Sequence, residues 1–335
     1  LRLQYETKGR LAMTRLAAPL IVIGGPTAVG KTQLSIDLAK RFGGEVINGD
    51  RLQFYRGLDI GTGKVTLEEM QGVPHHALDF LDVDQDYDAS QFQDLAQNLI
   101  RDCHARGVLP ILVGGSGLYL EGLLYDLEFG GKASHDPLIR QALEQRLETE
   151  GAQVLYAELL AQDPLAASKI PIQNHRRLLR ALEVMQVTGQ KFSDQSQHEN
   201  AQARYETCIL ALDRPRDQLY ERINARVQAM VAKGLEAEVR HLYQLAQGQL
   251  LPSVQGIGYK EWWPYLAGDK TDREAVIAAI QQNSRRYAKR QLTWFRNRIQ
   301  GTHWLDASDY ETALAQATSL VQDLLDKQAE KGGTL

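Results

Sequence analysis

The residues with the clearest chemical meaning form the segment GPTAVGKT at positions 25–32, which matches the G-x-x-x-x-G-K-[ST] pattern of a phosphate-binding loop. In such a loop the glycines let the backbone curl, so that several N–H groups point at one phosphate. Lys31 adds a positive charge, the following helix adds the positive end of its dipole, and the Thr32 hydroxyl is a ligand for Mg²⁺. The segment predicts binding of a polyphosphate but does not indicate which reaction follows.

Three charged residues elsewhere in the chain are candidates to act on the same phosphate. Asp50 follows an apolar segment at residues 45–48, so we expect it at the same sheet edge, where a carboxylate can bind Mg²⁺ or accept a proton. The alternative is a turn or capping aspartate. Arg222 and Arg226 are four residues apart on a predicted helix, so both emerge on one side and can grip a diphosphate. The alternative is a pair of solvated arginines.

A basic segment at residues 285–298 (RRYAKRQLTWFRNR) contains no acidic residue. Its helical spacing predicts a packing stripe formed by Ala288, Leu292, Phe295 and Ile299. Arg286 and Arg290 fall on another face, with Tyr287 and Trp294 at the border, so the pattern indicates a nucleic-acid surface where phosphates pair and bases stack. The alternative is a basic helix that is merely solvated.

Strand and helix patterns alternate through the first third of the chain, which predicts βα units, a parallel sheet and a site at the carboxyl ends of its strands. We expect strands at residues 20–23, 45–48 and 108–113, a helix at 32–41, and a second helix opened by a capping box at Asp88 and Gln91. Helical patterns then dominate until a further strand at 205–212 and a helix at 213–234. The helical stretch is therefore predicted to be an insertion into an α/β domain.

These patterns predict the domain boundaries. The predicted parts are a disordered extension at 1–15, the first part of the core at 16–125, an inserted helical domain at 126–202, the core completion with C-terminal helices at 203–326, and a tail at 327–335.

Composition limits the classes of protein that fit. Of 335 residues 43% are apolar and 24% charged, as in ordinary globular proteins, and no apolar run approaches the roughly 20 residues that span a membrane. No signal-peptide core is visible, and Cys103 and Cys208 form no metal pattern, which predicts a reduced, cytosolic protein. His75 and His76 point in different directions and have no third ligand nearby in the sequence, so we predict no metal there. The net charge of −4 argues against wholesale coating of nucleic acid but permits a local basic patch.

Taken together, the segments resemble the tRNA dimethylallyltransferases, also called tRNA isopentenyltransferases, from about residue 20 to residue 304. Besides the phosphate loop, the matching segments are Asp50 with Gln53 and Tyr55, DIGT at 59–62 with Lys64, VPHH at 73–76, PILVGGSGLY at 110–119, Asn174 with RR at 176–177 and RALE at 180–183, RI at 222–223 with RV at 226–227, IGYKE at 257–261, and YAKRQLTWF at 287–295.

The resemblance implies a P-loop-type α/β core with an inserted all-helical domain, the segment at 126–202, that contacts tRNA. It also implies an activity. Such enzymes transfer a dimethylallyl group from dimethylallyl diphosphate to N6 of the adenosine just 3′ of the anticodon in tRNA and release diphosphate. The resemblance implies that Asp50 takes the amine proton, that Thr27 is catalytic and that Arg226 grips the diphosphate. The implied diphosphate-binding residues, with Mg²⁺ at Thr32, are Gly25, Pro26, Thr27, Ala28, Val29, Gly30, Lys31 and Thr32. The predicted tRNA-binding residues are Gln53, Arg176, Arg177, Arg180, Arg286, Lys289 and Arg290. We expect a cytoplasmic monomer that binds the tRNA anticodon stem-loop and no membrane.

The sequence departs from the family pattern at a few positions. Arg51 stands where a serine usually follows the aspartate, Gly49 and Gly63 replace somewhat larger residues, Val65 replaces a proline, and Ser116 replaces a threonine. Arg51 either adds a contact to diphosphate or points to solvent.

Three other functions fit part of the pattern. A small-molecule kinase would use the loop for ATP, but it would be expected to carry an arginine-rich lid and would leave the later motifs unexplained. A prenyltransferase acting on a free adenine nucleotide would not need the basic helix or the insertion. A catalytically silent RNA-binding homologue would not need Lys31, Thr32, Asp50 and Arg226 intact.

Overall fold

The computed structural model describes residues 16–125, 136–196, 205–269 and 272–330. The predicted extension at 1–15 lies outside these ranges, as do residues 126–135 and 197–202 of the predicted insertion and 331–335 of the predicted tail. None of the described helices combines the length and the apolar character that crossing a bilayer requires.

Strands and helices alternate along the first part of the chain, and helices predominate later. The strands are β1 Leu16–Gly24, β2 Gly44–Asn48, β3 His75–His76, β4 Leu109–Val113, β5 Tyr205–Asp213 and β6 Thr302–Asp306. The helices are α1 Lys31–Phe42, α2 Leu67–Met70, α3 Ala89–Ala105, α4 Gly117–Tyr125, α5 Pro137–Glu150, α6 Ala152–Gln162, α7 Pro164–Lys169, α8 His175–Thr188, α9 Arg216–Ala232, α10 Leu235–Leu245, α11 Trp263–Leu266, α12 Arg273–Arg298 and α13 Tyr310–Glu330.

The described strands form one parallel sheet in the order β3-β2-β4-β1-β5-β6. Its central strand β1 pairs through Ile21 with Ile111 of β4 on one side and with Cys208 of β5 on the other. Because the strands are parallel, the loops that follow β1, β2, β4 and β5 all leave the same carboxyl edge. This edge therefore brings together segments that are far apart in sequence.

The sheet is held by apolar packing on both of its faces. Residues Leu20 to Ile23 of β1 are fully buried, as expected for a strand that is covered on both sides. Helix α1 contributes Leu34 and Leu38 to the same core, and α13 contributes Ala317 and Val321. The strand and the phosphate loop that follows it thus rest on a rigid support.

The chain folds into two compact units. The second unit takes in Asp88–Gln93 and the described part of Gly122–Ala203, and the first unit takes in the other described residues. The second unit has a leucine-rich core that includes Leu155, Leu159 and Leu178. Its buried Asp163 caps α7 by accepting from the N–H of Ala166 at 3.0 Å. The second unit also includes the first turn of α3 and the end of α4, which the predicted insertion at 126–202 did not. The role of the insertion as a separate tRNA-contacting domain stays a prediction.

The predicted parallel sheet flanked by helices is confirmed. The capping box at the start of α3 is present, since the backbone N–H of Asp88 donates to the Gln91 side chain at 2.9 Å and the N–H of Gln91 donates back at 2.8 Å. Two boundaries differ from prediction. The helix expected at 213–234 begins only at Arg216, because Asp213 completes β5, and residues 327–330 of the predicted tail belong to α13, where Gln328 is buried and donates to Glu206.

Candidate active site at the carboxyl edge of the sheet

The phosphate loop connects β1 to α1 and turns through the left-handed region of backbone space. Gly25 has a φ of 128°, and a side chain there would approach the carbonyl oxygen of Leu212 to 2.6 Å. Gly30, with a φ of 116°, is the N-cap of α1. The Lys31 ammonium folds back over the loop and donates to the carbonyls of Gly25 at 3.0 Å and Pro26 at 2.7 Å. A lysine held against the N-terminus of a helix is suited to bind an anion.

Three charged groups influence one another beside this loop. Burial lowers the pKa of Lys31 to about 8, while the negative charge of Asp50 opposes the shift and the positive charge of Arg226 adds to it. Burial raises the pKa of Asp50, against the N–H of Leu52 and the charges of Lys31 and Arg226. Burial also lowers the pKa of Arg226, and Asp50 opposes it. One carboxylate and two cations therefore share a poorly solvated space, where charge on a ligand is felt strongly.

Asp50 is placed by Asn48, the last residue of β2, and by the backbone N–H of Leu52. The Asn48 side-chain amide donates to the carbonyl of Asp50 at 3.1 Å and to that of Ala77 at 3.0 Å, and it accepts from the N–H of Asp50 at 3.1 Å. The Asp50 carboxylate accepts from the N–H of Leu52 at 3.2 Å and caps the short 3₁₀ helix Arg51–Phe54. The capping role considered from the sequence is therefore real, and the same carboxylate faces the two cations.

The two arginines of α9 have different surroundings although their spacing is helical. Arg226 is half-buried and donates from Nη2 to the carbonyl of Thr62 at 3.1 Å. Gly63 lies directly under it, since a Cβ there would fall 2.0 Å from Nη2. Arg222 is exposed and donates from Nε to the carbonyl of Ala28 in the phosphate loop at 3.0 Å. Both therefore reach the site, and the alternative of two solvated arginines does not fit the structure.

Two residues of α12 enter the site that the sequence analysis did not assign to it. The buried Gln291 accepts from the N–H of Thr27 at 2.9 Å and donates to the carbonyl of Gly115 at 2.9 Å. Tyr287 bonds with Ser116 and Gln291, and burial with the negative charge of Asp50 raises its pKa to about 12. The sequence analysis missed them, although a polar glutamine between the apolar positions of a basic helix, together with the glycine-rich loop at 114–117, is a signal that could have indicated them.

Thr32 is the residue of the loop that can hold a metal ion. Its side chain is exposed in the first turn of α1, next to Lys31. Mg²⁺ prefers six oxygen ligands and keeps several waters, so one hydroxyl together with phosphate oxygens of a ligand is a typical donor set. Because Lys31 and Arg226 are cations, the site suits Mg²⁺ as part of a complex with a polyphosphate.

Comparison with known proteins identifies the family. A family model described as IPP transferase matches residues 53–298. The tRNA dimethylallyltransferase of Bacillus subtilis is 46% identical over 294 residues, 88% of this chain and 92% of its own, and that of Levilactobacillus brevis is 48% identical over 313 residues, 93% and 99%. The chain belongs to the tRNA dimethylallyltransferase family.

Solved structures of the tRNA dimethylallyltransferase family have the same fold as this chain. The tRNA isopentenylpyrophosphate transferase of Bacillus halodurans has a TM-score of 0.70 at 42% identity and covers 94% of this chain and 99% of its own. A eukaryotic dimethylallyltransferase acting on tRNA has a TM-score of 0.81 at 33% identity, with 93% and 80% covered.

The departures from the dimethylallyltransferase pattern lie close to the site. Gly63 leaves the space that the Arg226 guanidinium occupies. Arg51 is half-buried, and among the described residues its Nε is buried without a hydrogen-bond partner, so a side chain pointing simply to solvent is excluded. Val65 packs against the apolar core of the first unit. The Ser116 side chain hydrogen-bonds to Tyr287.

The residues predicted to bind tRNA fall into three groups. On α12, Arg286, Lys289 and Arg290 are exposed, and Arg290 lies 5.6 Å from the centre of the Tyr287 ring. The other basic residues of the helix are paired within the protein. These pairs are Arg273 with Glu236 at 2.9 Å, Arg285 with Asn224 at 2.6 Å, Arg296 with Asp213 at 2.7 Å and Arg298 with Glu121 at 2.6 Å.

The second group is Gln53, which lies near Arg226 because its amide donates to the carbonyl of Thr62 at 3.4 Å. The third group lies at the start of α8 in the second unit. There Arg176 and Arg177 are exposed, and Arg180 pairs with Glu183 at 3.3 Å.

The histidine pair has neighbours that the sequence did not reveal. His76 Nε2 lies 2.7 Å from a carboxylate oxygen of Glu45, and the Cys103 thiol lies 3.8 Å from the same oxygen. Glu45 and Cys103 are distant from His76 in the sequence, and β2 and α3 bring them close to it in the structure. The absence of a metal there stays a prediction. Arg106 occupies both Glu45 oxygens, at 2.7 and 2.6 Å, so the charge of the carboxylate is already balanced. Its guanidinium is the main reason that the pKa of Glu45 falls to about 2.

Proposed function

We propose that this protein transfers the dimethylallyl group of dimethylallyl diphosphate to N6 of the adenosine just 3′ of the anticodon in tRNA, and releases diphosphate. The observation that carries the proposal is the half-buried group of Lys31, Asp50 and Arg226 beside the phosphate loop, whose charges act on one another. Two cations suit an anionic leaving group, and one carboxylate suits a proton acceptor. The relatives named tRNA dimethylallyltransferase support the choice of substrates.

On the donor side, the carbon–oxygen bond of the donor breaks and its electron pair stays on the diphosphate. Negative charge therefore grows on the leaving group, and fixed positive groups that face it lower the barrier. Lys31, Arg226 and the N–H groups of the loop are such groups, with Thr27 at the rim of the loop. Bound at Thr32 with the phosphate oxygens, Mg²⁺ would supply further neutralisation of that charge.

On the acceptor side, N6 of adenine forms the new carbon–nitrogen bond and loses one proton. N6 is a weak nucleophile, so the amine has to be held in line with the donor carbon. We assign this role to Asp50, which also takes the proton. Burial raises its pKa, which makes the carboxylate a better base than an exposed aspartate.

The acceptor base has to leave its stack, which in an anticodon loop costs only a few kcal/mol. The exposed cations Arg286, Lys289 and Arg290 give α12 a face for backbone phosphates. We propose that this face binds the anticodon stem-loop, and that Gln53 and the arginines of α8 add further contacts. We also expect the protein to act as a cytoplasmic monomer, which analytical ultracentrifugation can check for the oligomeric state.

The test is incubation of the purified protein with Mg²⁺, dimethylallyl diphosphate and unmodified tRNA, followed by digestion and mass spectrometry of the nucleosides. We expect dimethylallyl-adenosine from tRNA, none from a tRNA lacking the target adenosine, and no consumption of ATP. Parallel reactions contain free adenine nucleotide in place of tRNA. Efficient transfer to the free nucleotide instead of tRNA would favour the free-nucleotide prenyltransferase, and phosphoryl transfer from ATP would favour the small-molecule kinase.

A further inference from the structure

One carboxylate binds the backbone of residues 59–61, which lie just before Thr62, the residue whose carbonyl contacts Arg226. Glu238, in the first turn of α10, accepts from the backbone N–H groups of three consecutive residues. The distances are 3.1 Å to Asp59, 2.7 Å to Ile60 and 3.0 Å to Gly61. A carboxylate that receives several N–H donors forms charge-assisted bonds, which are stronger than bonds between neutral groups. Glu238 therefore fixes the course of the loop rather than a single atom.

A buried tyrosine holds that carboxylate in turn. The Tyr259 hydroxyl donates to Glu238 at 2.8 Å, and the ring is fully buried. The ring lies against Gly61, where a Cβ would come within 2.6 Å of the ring. Glu238 thus has a fixed orientation, because one of its oxygens is shared between the Gly61 N–H and the Tyr259 hydroxyl.

The loop held by Glu238 continues into the residue that contacts Arg226, the arginine to which the proposed function gives diphosphate binding. The residue after Gly61 is Thr62, whose carbonyl accepts from Arg226 Nη2 at 3.1 Å and from the Gln53 amide at 3.4 Å. Gly63 leaves room for the same guanidinium. A shift of the loop therefore moves the acceptor that orients Arg226.

Lys64 ties down the far end of the same loop. Its ammonium donates to the carbonyl of Tyr55 at 2.8 Å and to the carboxylate of Asp59 at 2.6 Å, and it also contacts Asp79. The side chain of Lys64 is almost fully buried. Residues 59–64 are thus held at both ends, and the Thr62 carbonyl lies between the two anchors.

We propose that Glu238 and Tyr259 are positioning residues for the transfer reaction, which act through the loop at 59–62 to hold the Arg226 guanidinium against the leaving diphosphate. This inference rests on the role given to Arg226 in the proposed function. Neither residue touches the substrate. Their effect is on the orientation of a cation whose value is greatest in the transition state, so it should fall on kcat more than on KM.

The experiment is a double-mutant cycle between Glu238→Ala and Arg226→Ala, with dimethylallyl transfer to tRNA under single-turnover conditions as the readout. We expect Glu238→Ala alone to slow transfer by about 10–100-fold, with unchanged affinity for tRNA. In the Arg226→Ala background the same change should cost little further, because the group it positions is gone. Hydrogen exchange should report faster exchange of the amides at 59–61.

Milder variants and a matched control complete the design. Tyr259→Phe removes one hydroxyl, and Glu238→Gln keeps the shape but turns an amide N–H toward backbone donors, so both should slow transfer even where Glu238→Ala folds poorly. Glu236→Gln changes the same residue type on the same helix, where the side chain pairs with Arg240 and Arg273, and it should leave the rate unchanged.

Two results would overturn the inference while leaving the proposed function intact. One is normal transfer by both Tyr259→Phe and Glu238→Gln, and the other is a full additive loss in the double mutant, which would indicate general destabilisation. Normal transfer by Arg226→Ala would instead contradict the role given to that arginine in the proposed function.

Discussion

Replacement of Gln291 by methionine tests the link between the basic helix and the phosphate loop. Methionine has a similar volume but no amide, so the Thr27 N–H and the Gly115 carbonyl both lose their partner. An unsatisfied buried group costs about 1–3 kcal/mol. Gly115 is buried, so its carbonyl stays unsatisfied. Thr27 is half-buried, so water can bond to its N–H and offset part of the cost of the lost hydrogen bond. If the productive geometry of the loop becomes less favourable by about 1–3 kcal/mol, kcat/KM for the allylic donor falls by about 5–150-fold.

The assay is single-turnover transfer at saturating tRNA and varied donor concentration. Gln282→Met is the control, because this glutamine is on the same helix and is exposed. Gly115→Ala perturbs the link from its other side, since the new Cβ would lie 2.1 Å from the Gln291 amide nitrogen and would displace it. We expect both site variants to be slow and the combined variant to be little slower than the worse of the two, because they break one shared contact.

The reasoning is refuted if folded Gln291→Met transfers the dimethylallyl group as fast as Gln282→Met at every donor concentration. Circular dichroism and thermal melting establish that the variants are folded. A loss confined to tRNA affinity would also contradict it, because the two hydrogen bonds end on the donor loop.

Three further predictions concern the base, the RNA face and the far side of the sheet. Asp50→Asn should slow the chemical step by about 10²–10⁴ with little change in tRNA affinity, and a normal single-turnover rate would place the base elsewhere. Replacing Arg286, Lys289 and Arg290 by alanine should weaken tRNA binding and flatten its log–log salt dependence by about 0.7–0.9 per lost phosphate contact, and an unchanged slope would indicate a merely solvated face. Since the pKa of Glu45 falls from 4.5 to about 2, its ionised form stabilises the fold above its unfolded-state pKa, and this stability is lost as the pH falls toward 2. Glu45→Gln should therefore lower the free energy of unfolding by at most about 3 kcal/mol near neutral pH and by progressively less below pH 4, and a pH-independent difference would contradict this.

Features that depend on neighbouring residues were predictable from the sequence. The phosphate loop, the capping box at Asp88 and the packing stripe of α12 each lie within one element, so their spacing alone indicates their geometry. Ala288 and Phe295 of the predicted stripe are buried, and Arg286 and Arg290 are exposed, as the helical period requires.

Features that depend on distant contacts were not predictable in the same way. Arg222 and Arg226 have equivalent spacing, yet only Arg226 has Thr62 beneath it, because the loop after the 3₁₀ helix passes that turn of α9. Gln291 looks like a solvated polar residue until α12 is laid against the loops at 25–30 and 114–117. The helix that contains the basic segment also extends back to Arg273, because Val276 and Ile280 continue its buried face.

The order in which the ribosome makes these parts sets when the site can exist. The phosphate loop is synthesised early, but the hydrogen bond from Thr27 to Gln291 spans 264 residues. At about 5–20 residues per second, roughly 13–50 s separate the appearance of those two residues. A nascent chain that stops before α12 has the phosphate-binding sequence but lacks the glutamine that holds the loop. Translation that ends early therefore leaves fragments in which the loop is unsupported, and the finished arrangement appears only when synthesis is nearly complete.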